Sequence, residues 1–253
     1  MKKKTKTPLA DAIATPDGKQ RYVRTLFSTI ADRYDLITVV LSYGQDQRWK
    51  RRLVDLVSAR AARPAGRALD LATGTGDIAF RLAAAGWQVI GLDVTRRMIE
   101  LARDKAAASA DRRRAPRFLV GDMLALPFPA RSFDVVTAGY GLRNVPDLRA
   151  AIDEMHRVLD AGGRALSLDF NRPANSLVRG VYLTYLRLMG GLLGCILHGD
   201  PDTYRYIPAS IRGYPGAEGV ARLLEARGFV RVEYKAVLGG LMTIHIAHKA
   251  GGA

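Results

Sequence analysis

The chain has 253 residues, 48% of them hydrophobic and 25% charged, which is enough for a full buried core and excludes wholesale disorder. Lys and Arg total 39 against 24 Asp and Glu, a net charge of +15 that favours an anionic partner: nucleic acid, an acidic membrane surface or a phosphorylated molecule. The lone cysteine, Cys195, excludes an internal disulfide framework and a cysteine-based zinc cage, and fits a reduced, cytoplasmic setting.

Met1 to Lys4 is basic, but Asp11, Pro16 and Asp17 interrupt the apolar stretch that a secretory signal needs. Residues 1–19 therefore read as a solvated, disordered tail and residues 20–253 as one domain. Residues 22–34 and 46–62 carry apolar side chains at helical spacing, with Arg-rich opposite faces. After Pro64-Ala65-Gly66, apolar runs predict strands at 68–72, 88–92, 118–120, 134–138 and 164–170. Helical stretches at 76–85, 95–108 and 148–159 lie between most of them. Alternation of this length implies an α/β fold: a doubly wound, seven-stranded, mostly parallel sheet behind an N-terminal helical cap. From 174 to 227 the pattern is helical, an insertion before a final hairpin of 230–237 and 241–249 that turns at Gly239-Gly240. Residues 177–197 are the one candidate membrane span. They contain Arg179, Arg187 and Gly190-Gly191, and a central arginine costs at least ~2.5 kcal/mol in a bilayer. The stretch reads instead as a lipid-facing helix, a core helix or a subunit contact in a homodimer.

The first strand runs into a glycine turn, Asp70-Leu71-Ala72-Thr73-Gly74-Thr75-Gly76-Asp77. Gly74 and Gly76 allow a tight turn and a close backbone approach to a ligand. The literal G-x-G-x-x-A match fits any dinucleotide, but Asp70 and Asp77 would repel a pyrophosphate there and welcome the ammonium of a methionine moiety. The turn, with Thr75, favours S-adenosylmethionine over NAD. Asp93 closes the second strand, where an acid can accept both ribose hydroxyls. Asp122 and Met123 close the third, the acid suited to the adenine amine and the thioether to the ring. Tyr140, just past the fourth strand, joins this cofactor set. Three acids at successive strand ends suit one nucleoside, because ligands bind at the carboxyl edge of such sheets.

The fourth strand leads into Gly139-Tyr140-Gly141-Leu142-Arg143-Asn144. The Asn/Asp-Pro-Pro-aromatic cluster with which amino-methylating enzymes hold a flipped base is absent from it. Cys195 lies in an apolar run unsuited to a cytosine-attacking nucleophile. Both observations count against a specific nucleic-acid substrate, although the basic Arg112-Arg113-Arg114 loop keeps an RNA methyltransferase as an alternative. An Arg143–Asn144 pair at a strand end can hold a substrate oxygen and stabilise it as an anion.

The run YGLRNVPDLRAAIDEMHRVLDAGG at 140–163 resembles a signature of the ubiquinone/menaquinone biosynthesis C-methyltransferase family. Residues 27–52 are similar to that family's N-terminal motif, and TYRYIPASIRGYP at 203–215, Gly228-Phe229 and GGLMTIHIAHK at 239–249 to its C-terminal one. The resemblance covers roughly 24–249. Departures include Ile37-Thr38 for Met-Asn, Asp46-Gln47 for a His-Arg pair, Ala209 for Glu, and Asp122-Met123 for Asn-Ala. It implies methylation, from S-adenosylmethionine, of a ring carbon in a prenylated quinol of the demethylmenaquinol or 2-polyprenyl-6-methoxy-1,4-benzoquinol type. Another small phenolic substrate is the alternative. Under this reading Arg143, backed by Asn144, holds the phenolate. A water or a second residue, Tyr34 or His245, is the candidate proton acceptor, and Tyr204, Arg205 and Tyr206 line the substrate entrance. A bilayer-borne substrate further implies transient docking on an anionic membrane, through the 177–197 stretch and basic residues around Arg48, Lys50, Arg51 and Arg52.

Overall fold

The computed structural model describes residues 9–59, 66–200 and 203–252. A short helix, α1 (Leu9–Ala12), precedes α2 (Pro16–Ile30). Thr15 caps α2 by accepting a hydrogen bond from the Gly18 amide at 3.1 Å, and Pro16 fills its first turn. The expected tail over 1–19 is thus corrected: residues 16–19 are helical because a Thr-Pro cap starts a helix there, while residues 1–8 lie outside those described. A turn of 3-10 helix (Ala31–Arg33) leads into α3 (Tyr34–Leu41), and α4 (Asp46–Ser58) follows. The expected end of α4 at 62, with Pro64 and Ala65 beyond it, lies outside the described residues.

The alternation then appears as β1 (Arg67–Leu71), α5 (Asp77–Ala84), β2 (Gln88–Asp93), α6 (Arg96–Ala107), β3 (Arg117–Val120), β4 (Phe133–Gly139), α7 (Leu148–Val158) and β5 (Leu159–Phe170). Asp147 caps α7 by accepting from the Arg149 and Ala150 amides. Next come α8 (Ser176–His198), α9 (Tyr206–Gly213) and α10 (Gly216–Ala226), then β6 (Phe229–Val237) and β7 (Met242–Lys249). The strands form one sheet in the order β3-β2-β1-β4-β5-β7-β6. The first five are parallel, and β7 runs antiparallel to both β5 and β6.

Side chains alternate across this sheet, so both faces are buried. Leu69, Leu71, Val136, Ile152 and Leu224 lie in one apolar layer, and Ala68, Val135, Leu53, Leu82 and Ile244 in the other. Strand order reverses between β1 and β4, and the crevice at their carboxyl ends is where ligands bind in such sheets. α2 and α3 cover that crevice on one side. α8 packs beside it through Tyr182, Leu183 and Leu186, with Ile211 of α9.

Candidate active site

Two cavities meet above the carboxyl edge of the sheet. The first, about 720 Å³ of free space including its mouth, is lined by the ends of β1, β2, β3 and β4 and by α2. Gly74, Asp93, Asp122, Met123, Tyr140 and Asn144 all face it, joined by Gln20, Val23 and Phe27 from α2. Gly74 has a φ of +56°, and a Cβ there would project to within 3.7 Å of the Tyr34 ring, into the cavity between them. Asp93 is buried and fixes the turn, accepting from the Gly74 amide at 2.9 Å and the Thr95 amide at 2.8 Å. Burial raises its pKa against those two hydrogen bonds. Asp122 accepts from the Leu124 amide at 2.9 Å and from the Gln20 side chain of α2.

Asp93 and Asp122 are the charged side chains among the described residues of this lining, which holds no Lys or Arg. A pyrophosphate would find two carboxylates and no cation. A cationic nucleoside fits the same donor set.

Three predicted cofactor residues support this cavity from behind. Asp70 accepts from the Thr73 hydroxyl at 2.6 Å and the Thr137 hydroxyl at 2.7 Å, with its pKa pushed up by burial to about 6. The Thr75 hydroxyl donates to Asp35 at 2.6 Å. Gly76 has a φ of +93° and lies against Phe118, where a Cβ would come within 2.8 Å of the ring. These residues shape the turn rather than line the cavity.

The second cavity holds about 1,220 Å³ including its mouth and is walled by aromatic and aliphatic side chains of α2, α3, α4, α8 and α9. Phe27, Tyr34 and Tyr140 line both cavities, so the two chambers join at these rings. Burial raises the pKa of the Tyr34 hydroxyl, against the pull of Lys50 and Arg143. The Tyr140 hydroxyl is buried without a hydrogen-bond partner.

Arg143 enters the second cavity from the turn after β4. Its Nε lies 3.1 Å from Asp169, its Nη1 donates to Asn144 at 2.7 Å and to Ser210 at 3.2 Å, and its guanidinium stacks 4.9 Å from the Phe170 centroid. The backbone amide of Arg143 also donates to Asp169 at 3.2 Å. Asn144 is held by donating to the Tyr140 carbonyl at 2.8 Å. The guanidinium is thereby anchored through Nη1 and paired with the Asp169 carboxylate, while its Nε makes no hydrogen bond.

Tyr204 and Tyr206 line the second cavity as expected, whereas Arg205 lines shallow clefts outside it. His245 lines neither cavity. It is buried on β7 facing α10, with Nε2 2.8 Å from the Ala217 carbonyl, and burial lowers its pKa to about 4. The strand alternation that carries Thr243 and His245 turns them towards α10 and away from the chambers. Lys50 likewise leaves the proposed docking set, being buried between Asp46 at 3.0 Å and Asp77 at 2.7 Å. Sequence reasoning missed the contribution of α2, whose Thr15-Pro16 cap was the available signal. It also missed Asp46, Trp49, Tyr182 and Tyr185, which the topology brings together from elements more than a hundred residues apart.

The ubiE/COQ5 methyltransferase family matches residues 15–249. A demethylmenaquinone methyltransferase of Thermus thermophilus is 42% identical over 226 residues, covering 88% of this chain and all of the relative. A ubiquinone/menaquinone biosynthesis C-methyltransferase UbiE of Azotobacter vinelandii is 38% identical, covering 90% of this chain and 89% of the relative. Among solved structures, the magnesium protoporphyrin IX methyltransferase of Synechocystis with bound SAH superposes with a TM-score of 0.65 at 21% identity, over 91% of this chain and all of that one, and so shares the fold. With that match and those identities, the chain belongs to the ubiE/COQ5 methyltransferase family and is an S-adenosylmethionine-dependent methyltransferase.

Proposed function

We propose that the protein transfers a methyl group to a ring carbon of a prenylated quinol, of the demethylmenaquinol or 2-polyprenyl-6-methoxy-1,4-benzoquinol type. The observation that carries this reading is the junction. An acidic, cation-free nucleoside cavity opens at Tyr34 and Tyr140 into a larger, almost wholly apolar chamber into which one arginine projects. A small polar phenol would leave most of that chamber's aromatic wall without a partner.

Bound in the first cavity, S-adenosylmethionine supplies an electrophilic methyl group. Asp93 would accept the ribose hydroxyls, Asp122 the adenine amine, and Met123 would lie against the ring. Arg143 holds the substrate oxygen through the donor hydrogens left free by Asp169, Asn144 and Ser210, and stabilises charge as that oxygen becomes anionic. Asn144 orients the guanidinium. Arginine itself stays protonated and is a poor base. Tyr34 and Tyr140 flank the passage between the chambers, where the methyl group meets the ring carbon.

The second chamber opens among exposed apolar side chains. Tyr43 and Leu238 both line it and reach solvent, and Leu36, Val39 and Val40 of α3 are exposed as well. α8, which walls the chamber with Tyr182, Tyr185 and Leu186, exposes Leu177, Val181, Leu188, Leu192 and Ile196 on its other side. It is long and apolar enough to cross a membrane, yet it packs along one face of the domain. We assign this apolar rim, with exposed Arg48, Arg51, Arg52 and Arg187, to transient docking on the anionic inner face of the cytoplasmic membrane, from which the prenyl chain enters. Turnover of a demethylnaphthoquinol bearing a short prenyl chain, compared with the same ring without a chain, tests the reading. It predicts preference for the prenylated ring; equal or better turnover of the bare phenol contradicts it.

A further inference from the structure

Among the described residues lining the apolar chamber, two side chains are charged: Arg143 and Asp46. One is the anion holder argued above. The other is a carboxylate with 1% of its surface exposed, in the first turn of α4. A carboxylate in so apolar a wall needs a reason, because burial of an ionised group is costly unless it is compensated.

Its compensation is partial. Asp46 Oδ2 accepts from Lys50 Nζ at 3.0 Å and from Gln47 Nε2 at 2.9 Å, while Oδ1 accepts from the Ser42 hydroxyl at 3.1 Å. Lys50 does not belong to Asp46 alone, since its Nζ donates at 2.7 Å to Asp77. Burial works against the Lys50 charge, but Asp77, Tyr34 and Asp46 outweigh it and hold its pKa above the ordinary value. Two carboxylates therefore share one ammonium, and Oδ1 keeps a lone pair for a further donor. The groups that face Asp46 are Ser42 from the turn after α3, Gln47 and Lys50 from α4, Asp77 from α5, and Tyr34, Tyr140 and Arg143 across the chamber. The unpartnered Tyr140 hydroxyl feels both Asp46 and Arg143, and all three residues line this chamber, Tyr140 bordering the first cavity as well. Tyr34, also at the junction, is kept neutral by burial, and His245 is turned away. Arg143 cannot take a proton.

We infer that Asp46 is the catalytic base, the group that takes the proton from the substrate hydroxyl while Arg143 holds the oxygen left behind. The inference rests on the quinol-methylation reading. The O–H bond breaks and its proton passes to the Asp46 carboxylate. The ring carbon, enriched by the oxygen anion, forms a C–C bond to the methyl as the C–S bond breaks, and the sulfur leaves with the bonding pair as a thioether. The same carbon then loses its own hydrogen as a proton to water, the electron pair restores the aromatic ring, and Asp46 returns its proton to the oxygen. One proton is released per methyl transferred, and nothing is oxidised or reduced.

The test uses the full-length protein with S-adenosylmethionine and a short-chain demethylnaphthoquinol. Asp46→Asn keeps the size and an oxygen acceptor, and should lower kcat at least ~10²-fold, the low end for general-base catalysis. KM should change little, and cofactor affinity by calorimetry should be kept. Asp46→His restores a proton acceptor, and should recover part of the turnover with an acid limb set by an imidazole, ordinarily near ~6.5. A halogenated quinol already ionised at the assay pH should narrow the gap between wild type and Asp46→Asn, which a merely structural defect would not allow. Quinol methylation by the wild type with an Asp46→Asn variant that keeps its rate overturns the inference alone. Wild-type protein that methylates no quinol at all overturns the underlying reading and the inference with it.

Discussion

Arg143 is held on three sides, by Asp169, Asn144 and Ser210, and its guanidinium plane is fixed against Phe170. A lysine would supply a point charge without the planar fork. Arg143→Lys should therefore keep the fold and cofactor affinity and lower turnover at least ~10²-fold, as loss of an anion-stabilising donor does; steady-state kinetics beside calorimetry checks this. The strand-end acids Asp93 and Asp122 were legible in the sequence because a βα turn leaves no doubt which end of a parallel strand faces the ligand. Asp70, Thr75 and Gly76 belong to the same turn, but their side chains point back into the protein, which spacing alone does not reveal. His245 was misread for a related reason. Period-two alternation divides a strand into two faces without saying which layer covers each. The Asp46–Lys50 pair sits at i,i+4 on α4, but its link to Asp77 was invisible because Asp77 belongs to α5 and only folding brings it to Lys50.

At the scale of elements, α2 is the largest difference between sequence and structure. Its basic, polar start looked like a tail, yet Lys19 reaches across to the Arg143 and Val145 carbonyls, and Gln20 reaches Asp122. Those contacts tie α2 to the loop that carries Arg143, and its Val23 and Phe27 roof the first cavity. The apolar stretch at 177–197 was read correctly as helical, and it packs on α9 through Tyr182, Leu183 and Leu186. Its amphipathic split, one face on the chamber and the other in solvent, needed the packing of α9 to be seen. Docking through that outer face predicts sedimentation with anionic vesicles that fades as salt rises, and little with neutral ones. Replacing Leu188 and Leu192 by Asp should abolish the sedimentation. Vesicle binding unchanged in that variant, or a stable dimer that the substitutions dissolve, would assign the face to something other than lipid.

For the whole molecule, the alternation of strands and helices specified the sheet and its closing hairpin, because each crossover has only one favoured hand. The net charge of +15 gave a sign and no address, since most arginines lie on solvated faces. Two buried groups do give the whole fold a pH signature. His245 has its pKa lowered to about 4, so its contribution to stability is present above its ordinary 6.5 and is lost as pH falls through 4. Asp70 has its pKa raised to about 6, so its contribution is present below its ordinary 3.8 and is lost as pH rises through 6. Between pH 4 and 6 the two oppose each other, each by at most roughly 1.4 kcal/mol per pH unit. Denaturant titrations across that range should show His245→Gln losing less stability towards acid than wild type, and Asp70→Asn losing more.

The most direct test of the account is the position of the transferred methyl. Full-length protein is incubated with S-adenosylmethionine labelled at its methyl carbon and a prenylated demethylquinol, and the product is examined by NMR. The label is expected on a ring carbon of the quinol, with both hydroxyl oxygens unmethylated. Label on an oxygen, or label taken up by RNA in a parallel incubation with none on the quinol, would contradict it.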